Sequence, residues 1–101
     1  MRLSPNAAKV IHDAVQTHFG ESAEVWLFGS RVDDQRRGGD IDLYVETDEM
    51  DSGVISKQRS KFLASLYMQL GEQKIDVLVK SRRKATALTI HTIAREEGVR
   101  L

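Results

Sequence analysis

Apolar positions recur at two periods along this chain. Over residues 5–19, Val10, Ile11, Ala14, Val15 and Phe19 fall at helical spacing. Ser4 is a natural N-cap, Pro5 suits the first turn, and Gly20 is placed to end the helix in a left-handed conformation. Residues 23–28 (AEVWLF) are a short run of aliphatic and aromatic types, the mark of a buried strand. Residues 40–46 (DIDLYVE) alternate in strand fashion, and residues 74–80 (KIDVLVK) read as a third strand. From Val54 to Leu70 the helical period returns with Ile55, Phe62, Leu63, Leu66, Tyr67 and Leu70, and Gly71 closes it. A last helix is predicted over 85–97, with Leu88, Ile90, Ile93 and Ala94 on its apolar side and Gly98 after it. Residues 47–53 (TDEMDSG) read as a loop, as does the polar stretch after Gly29.

This order predicts an α/β (α+β) domain, with helices packed on a small three-stranded mixed sheet. The 54–70 helix is long enough for a crossover, which makes strands two and three parallel. The connection between strands one and two, about eleven residues, is either a crossover or a wide hairpin. With 101 residues in all, residues 1–101 are read as one domain with a modest core.

Composition narrows the classes. Hydrophobic residues make up 41% and charged residues 30%, as in ordinary globular chains. No apolar run approaches the ~20 residues of a membrane span, so no membrane partner is expected. The absence of cysteine removes disulfides, thiolate metal sites and cysteine nucleophiles together. The first residues, MRLSPNAAKV, lack the apolar core of a signal peptide, and with the missing cysteines this predicts a cytoplasmic protein. Net charge is zero, yet the charges are segregated: residues 33–51 carry net −6 and residues 57–84 net +6. That balance lacks the basic excess of a nucleic-acid binder, and no direct nucleic-acid contact is expected. The basic block suits an acidic or RNA-facing partner; its Lys80–Lys84 portion also reads as a solvated loop.

The sharpest chemical feature is a Gly-Ser at 29–30 followed by the Asp-x-Asp of Asp40 and Asp42. Side chains two apart on a strand share a face, so the two carboxylates sit about 6.6 Å apart at their α-carbons. Oxygen-only ligands of this kind suit Mg²⁺, which usually takes one or two carboxylates plus substrate phosphates. Asp76 lies within an otherwise apolar strand, where it needs a partner, either a cation or a salt bridge to Lys74 or Lys80. If strand three lies beside strand two, three carboxylates converge on one edge of the sheet, the arrangement that two-metal phosphoryl-type transfer requires. Gly29 allows a close backbone approach, Ser30 offers a hydroxyl and an N–H to an anion, and Arg31, Arg36 and Arg37 are at hand to neutralise phosphate. Taken singly, a Gly-Ser is a turn and an Asp-x-Asp is a strand edge; the combination is what carries the chemistry. His12, His18 and His91 have no metal-ligand spacing, and Trp26 and Tyr44 read as packing residues. P-loop, dinucleotide and EF-hand patterns are absent.

The run LFGSRVDDQRRGGDIDLYV, with KIDVLVK downstream, resembles the minimal nucleotidyltransferases of the DNA polymerase β-like superfamily over roughly residues 5–80. The family's motif is commonly written with ten residues between Ser and the first Asp; here there are nine, a tighter loop. The resemblance implies the polymerase β-like fold, with Gly29, Ser30 and Arg31 at the nucleotide, and Asp40, Asp42 and Asp76 as catalytic carboxylates holding two Mg²⁺ ions. It implies attack of an acceptor hydroxyl on the α-phosphorus of ATP or another nucleoside triphosphate, with pyrophosphate leaving. Larger relatives carry extra domains for the acceptor. The resemblance therefore also implies a hetero-oligomer with a helical partner, either a HEPN-type toxin adenylylated on a tyrosine or a substrate-binding subunit. Two rival readings are a non-catalytic antitoxin, which would tolerate Asp40→Asn with Asp42→Asn, and a subunit of a small-molecule nucleotidyltransferase, which would label no protein.

Overall fold

The computed structural model describes residues 3–29, 41–71, 73–84 and 89–101. Their order is α1 (Pro5–Phe19), β1 (Glu24–Phe28), β2 (Ile41–Thr47), α2 (Ser52–Leu70), β3 (Ile75–Ser81), α3 (Thr89–Glu97) and β4 (Val99–Arg100). The Ser4 hydroxyl caps α1 by accepting from the Ala7 N–H at 3.0 Å, with Pro5 in the first turn. Gly20 ends it at φ 101 and ψ 162, an extended positive-φ conformation rather than the left-handed one expected. Helix α2 begins two residues earlier than periodicity indicates. Asp51, read as loop, accepts from the Gly53 and Val54 N–H groups and satisfies the first turn.

The sheet has four strands, not three, in the order β3-β2-β1-β4. β1 and β2 are antiparallel, which makes their connection a wide hairpin, and β2 and β3 are parallel across the α2 crossover. The added strand is the tail, where Val99 and Arg100 pair with Leu27 and Trp26. Two residues are too few for a periodicity signal. Packing space supports the pairing: a Cβ on Gly98 would press on the Ala94 carbonyl and come within 2.9 Å of the Leu27 carbonyl. Of the expected 85–97 helix, Thr89–Glu97 is observed, and residues 85–88 lie outside the described residues.

One sheet face carries the main core. Val25, Leu27, Ile41, Leu43, Val45, Ile75 and Val77 pack against Ile11, Val15 and Phe19 of α1 and Phe62 and Leu66 of α2. The Phe19 and Phe62 rings meet edge-on at 5.4 Å, worth ~0.5–1.5 kcal/mol beyond their buried area. Tyr67, read as apolar-face, is instead exposed together with Met68. At the open edge of β3, the Arg59 Nε–H donates to the Val77 carbonyl at 3.0 Å and covers part of the unpaired strand. No helix among the described residues is long and apolar enough to cross a membrane.

Candidate active site

The opposite sheet face is built in three cross-strand rows, set by register. Phe28 pairs with Asp42 and Asp42 with Asp76; Trp26 pairs with Tyr44 and Tyr44 with Leu78; Glu24 pairs with Glu46 and Glu46 with Lys80. A carboxylate row, an aromatic row and a charged row therefore follow one another along the strands.

In the carboxylate row, Asp42 is half-buried and Asp76 exposed. In-register residues on adjacent strands share a face and lie ~4.8 Å apart across the ladder. Gly29 follows β1 directly, at φ 77. A Cβ there would land on the Asp42 carboxylate, 3.2 Å from its carboxyl carbon. Glycine is thus required twice over, for its conformation and for the space beside that carboxylate. Two adjacent oxygen donors next to a side-chain-free turn fit a hard divalent cation that keeps positions open for phosphate and water. Among the described residues no group of three or more acidic or histidine side chains is placed to hold a metal ion. Asp40, the third carboxylate of the expected set on this side, lies outside the described residues, as do Ser30, Arg31, Arg36 and Arg37. Register sets Asp42 beside Asp76, and Gly29 lies against Asp42; the expected convergence of all three carboxylates involves Asp40 and so extends outside the described residues. Asp76 is not tied up by Lys80, whose ammonium donates to the Ser81 and Lys84 carbonyls.

The aromatic row holds the second, smaller core. Trp26, Tyr44 and Ala94 are buried together, with Phe28 and Leu78 against them. Arg95 and Arg100 each stand 5.4 Å from the Trp26 ring centroid. The Tyr44 ring stacks on His91 at 5.7 Å, and its hydroxyl donates to Glu46 Oε2 at 2.7 Å. Burial, reinforced by that bond and by the carboxylate's charge, pushes the phenol well above its ordinary value.

The charged row is an ion-pair network that sequence reading missed. Glu46, 6% exposed, lies 3.5 Å from both Arg82 Nε and Arg95 Nη1. Arg82 also pairs with Glu24 and donates to the Ser22 carbonyl at 2.9 Å, while Arg100 pairs with Glu24. The Ser22 hydroxyl, at 2.9 Å, and Arg82 hold the Asp48 carboxyl below its usual range. The 80–84 segment is therefore no plain solvated loop, since Arg82 stitches three acidic side chains together. One signal pointed to Glu46: it shares strand parity with Asp42 and Tyr44. Beside this row a cleft of about 510 Å³ opens between α3 and β3, lined by Tyr44, Glu46, Lys80, His91, Arg95 and Glu96 among others.

The sequence model of a family described as "Nucleotidyltransferase domain" matches residues 8–98. No curated protein matches the sequence.

Proposed function

The chain belongs to the nucleotidyltransferase domain family, whose members generally use a nucleoside triphosphate and a divalent metal, and from that premise we propose that it transfers AMP from ATP to a protein hydroxyl. The observation that carries this reading is the Asp42–Asp76 pair in register, with Gly29, a turn without a side chain, against Asp42. Asp42 and Asp76, with Asp40, would hold Mg²⁺, which supplies charge neutralisation at the phosphates and a more acidic acceptor hydroxyl when bound. Gly29, at the end of β1, would seat the β- and γ-phosphates, a role shared with Ser30 and Arg31 as the motif's resemblance implies. The acceptor oxygen forms a bond to the α-phosphorus as the bond to the bridging oxygen breaks. Pyrophosphate takes the electron pair, and the hydroxyl proton passes to the Asp76 carboxylate and on to solvent. The acceptor we favour is a tyrosine of a helical HEPN-type toxin, neutralised by the modification in the cytoplasm. It rests on the likeness of the 27–45 segment to antitoxin-type minimal nucleotidyltransferases.

The test is incubation of the protein, together with the product of a neighbouring gene where that is a small helical protein, with Mg²⁺ and ATP labelled at the α-phosphate. The Asp40→Asn/Asp42→Asn variant is run alongside. Label on the partner that disappears with the variant supports protein adenylylation. A stable complex with no label on either protein defeats it and leaves a binding-only antitoxin.

A further inference from the structure

The α3–β3 cleft lies on the same sheet face as the carboxylate row, because Tyr44, Glu46 and Lys80 share parity with Asp42 and Asp76. Its position across the sheet is informative. Gly29, the phosphate seat of the reading above, is on β1; Asp42 is on β2; Asp76 is on the edge strand β3. In-line displacement puts attacking and leaving oxygens on opposite sides of the phosphorus. With pyrophosphate leaving toward β1, the acceptor hydroxyl enters over β3, the side on which the cleft opens.

The cleft's volume, about 510 Å³, is that of an ordinary ligand site, and its lining is mixed. The Lys80 ammonium uses two of its three donors on the Ser81 and Lys84 carbonyls among the described residues. Arg95 is 58% exposed and holds Glu46 only at 3.5 Å, so its guanidinium keeps donors for an incoming anion. Glu46 and Glu96 stand in the same walls. A polyphosphate backbone would meet those carboxylates as well as the cations. A peptide, with carboxylates for the cations and N–H groups for the carboxylates, matches both. The chain's zero net charge points the same way, against a polyanion.

We propose that this cleft is the acceptor subsite, and that it holds an acidic peptide segment through Lys80 and Arg95. The proposal rests on the transferase reading. It also sets a spacing. Lys80 is four residues along β3 from Asp76, ~13 Å, and extended peptide spans at most ~3.3–3.6 Å per residue. The anchoring carboxylate therefore lies about four residues from the acceptor tyrosine.

The experiment titrates the isotope-labelled full chain, by NMR, with a short peptide that carries a central tyrosine and glutamates about four residues to either side. A control peptide carries lysines in their place. Saturable amide shifts at Lys80, His91 and Arg95 with the glutamate peptide alone are expected, and Lys80→Ala weakens binding about tenfold. Arg95→Lys, which keeps the charge and the cover over Trp26, weakens it less. In the transfer assay with the same peptide, Lys80→Ala raises the peptide KM about tenfold and moves the ATP KM by less than about twofold. Equal binding of the lysine peptide, shifts confined to residues of α1 and α2, or a single-stranded RNA occupying the cleft would each overturn the proposal. Cleft binding without any transfer leaves a peptide site but overturns both its acceptor role and the transferase reading; transfer to the peptide without cleft shifts overturns the subsite and keeps the transferase reading.

Discussion

The two faces of one sheet are built on different principles. The face under α1 and α2 is uniformly apolar from Val25 to Val77, and each side chain there is interchangeable in chemistry though not in shape. The other face changes character every second residue along β2, from Asp42 to Tyr44 to Glu46, and the strand register repeats that change across β1 and β3. One face supplies cohesion. The other supplies ordered chemistry at 6–7 Å steps, ~3.3 Å per residue, and it can do so because cohesion is handled behind it.

Substitutions should separate the two faces. The largest effect is expected at Asp42. Asp42→Asn keeps the shape of the side chain and removes its charge, so nucleotidyl transfer should fall by on the order of 10³-fold or more, ~4 kcal/mol at the transition state. Circular dichroism should still report a folded chain. Retained pyrophosphate release would break the assignment of this face. Phe62→Ala is the mirror experiment. It empties a fully buried site against Phe19 and should cost ~3–5 kcal/mol in denaturant unfolding, while molecules that remain folded keep their specific activity.

Gly29→Ala sits at the junction. Its φ of 77 and its contact with Asp42 set an expected loss of ~1–3 kcal/mol of stability. The displaced carboxylate should cost more in kcat than in melting temperature, and the reverse order would mean the turn serves folding alone.

Tyr44→Phe gives the smallest effect, ~1–2 kcal/mol near neutrality from the lost bond to Glu46. Its pH signature is more telling. The folded phenol titrates above its ordinary value of ~10. Below that pH both states keep the proton and stability does not change with pH. Above it the unfolded chain releases the proton while the native protein holds it, so stability falls as pH rises. The wild type should lose stability in alkali more steeply than Tyr44→Phe, and parallel curves would show that the phenol is not held by the fold.

The carboxylates Asp42 and Asp76, the glycine beside them and the strands that carry them were all legible, because strand parity and turn chemistry are local properties. The β2–β3 crossover was legible from the length of α2. The fourth strand was not: Val99 and Arg100 pair because Gly98 lets the chain lie against β1, and no two-residue pattern announces that. Arg82 looked like part of a solvated loop, and nothing but strand parity pointed to Glu46. The burial of Glu46 follows from α3 and the 80–84 turn, with the partly buried Arg82, closing over the sheet.

The sequence by itself determined which residues alternate, how α1 is capped, and which side chains have the oxygen chemistry for phosphoryl transfer, since each depends on neighbours within a few positions. Only the tertiary structure decided that Asp42 and Asp76 face each other in register, that Gly29 has no room for a Cβ, and that a charged cleft lies two rows farther along the same face. Those are relations between strands brought together by the burial of a common core, and their partners are far apart along the chain.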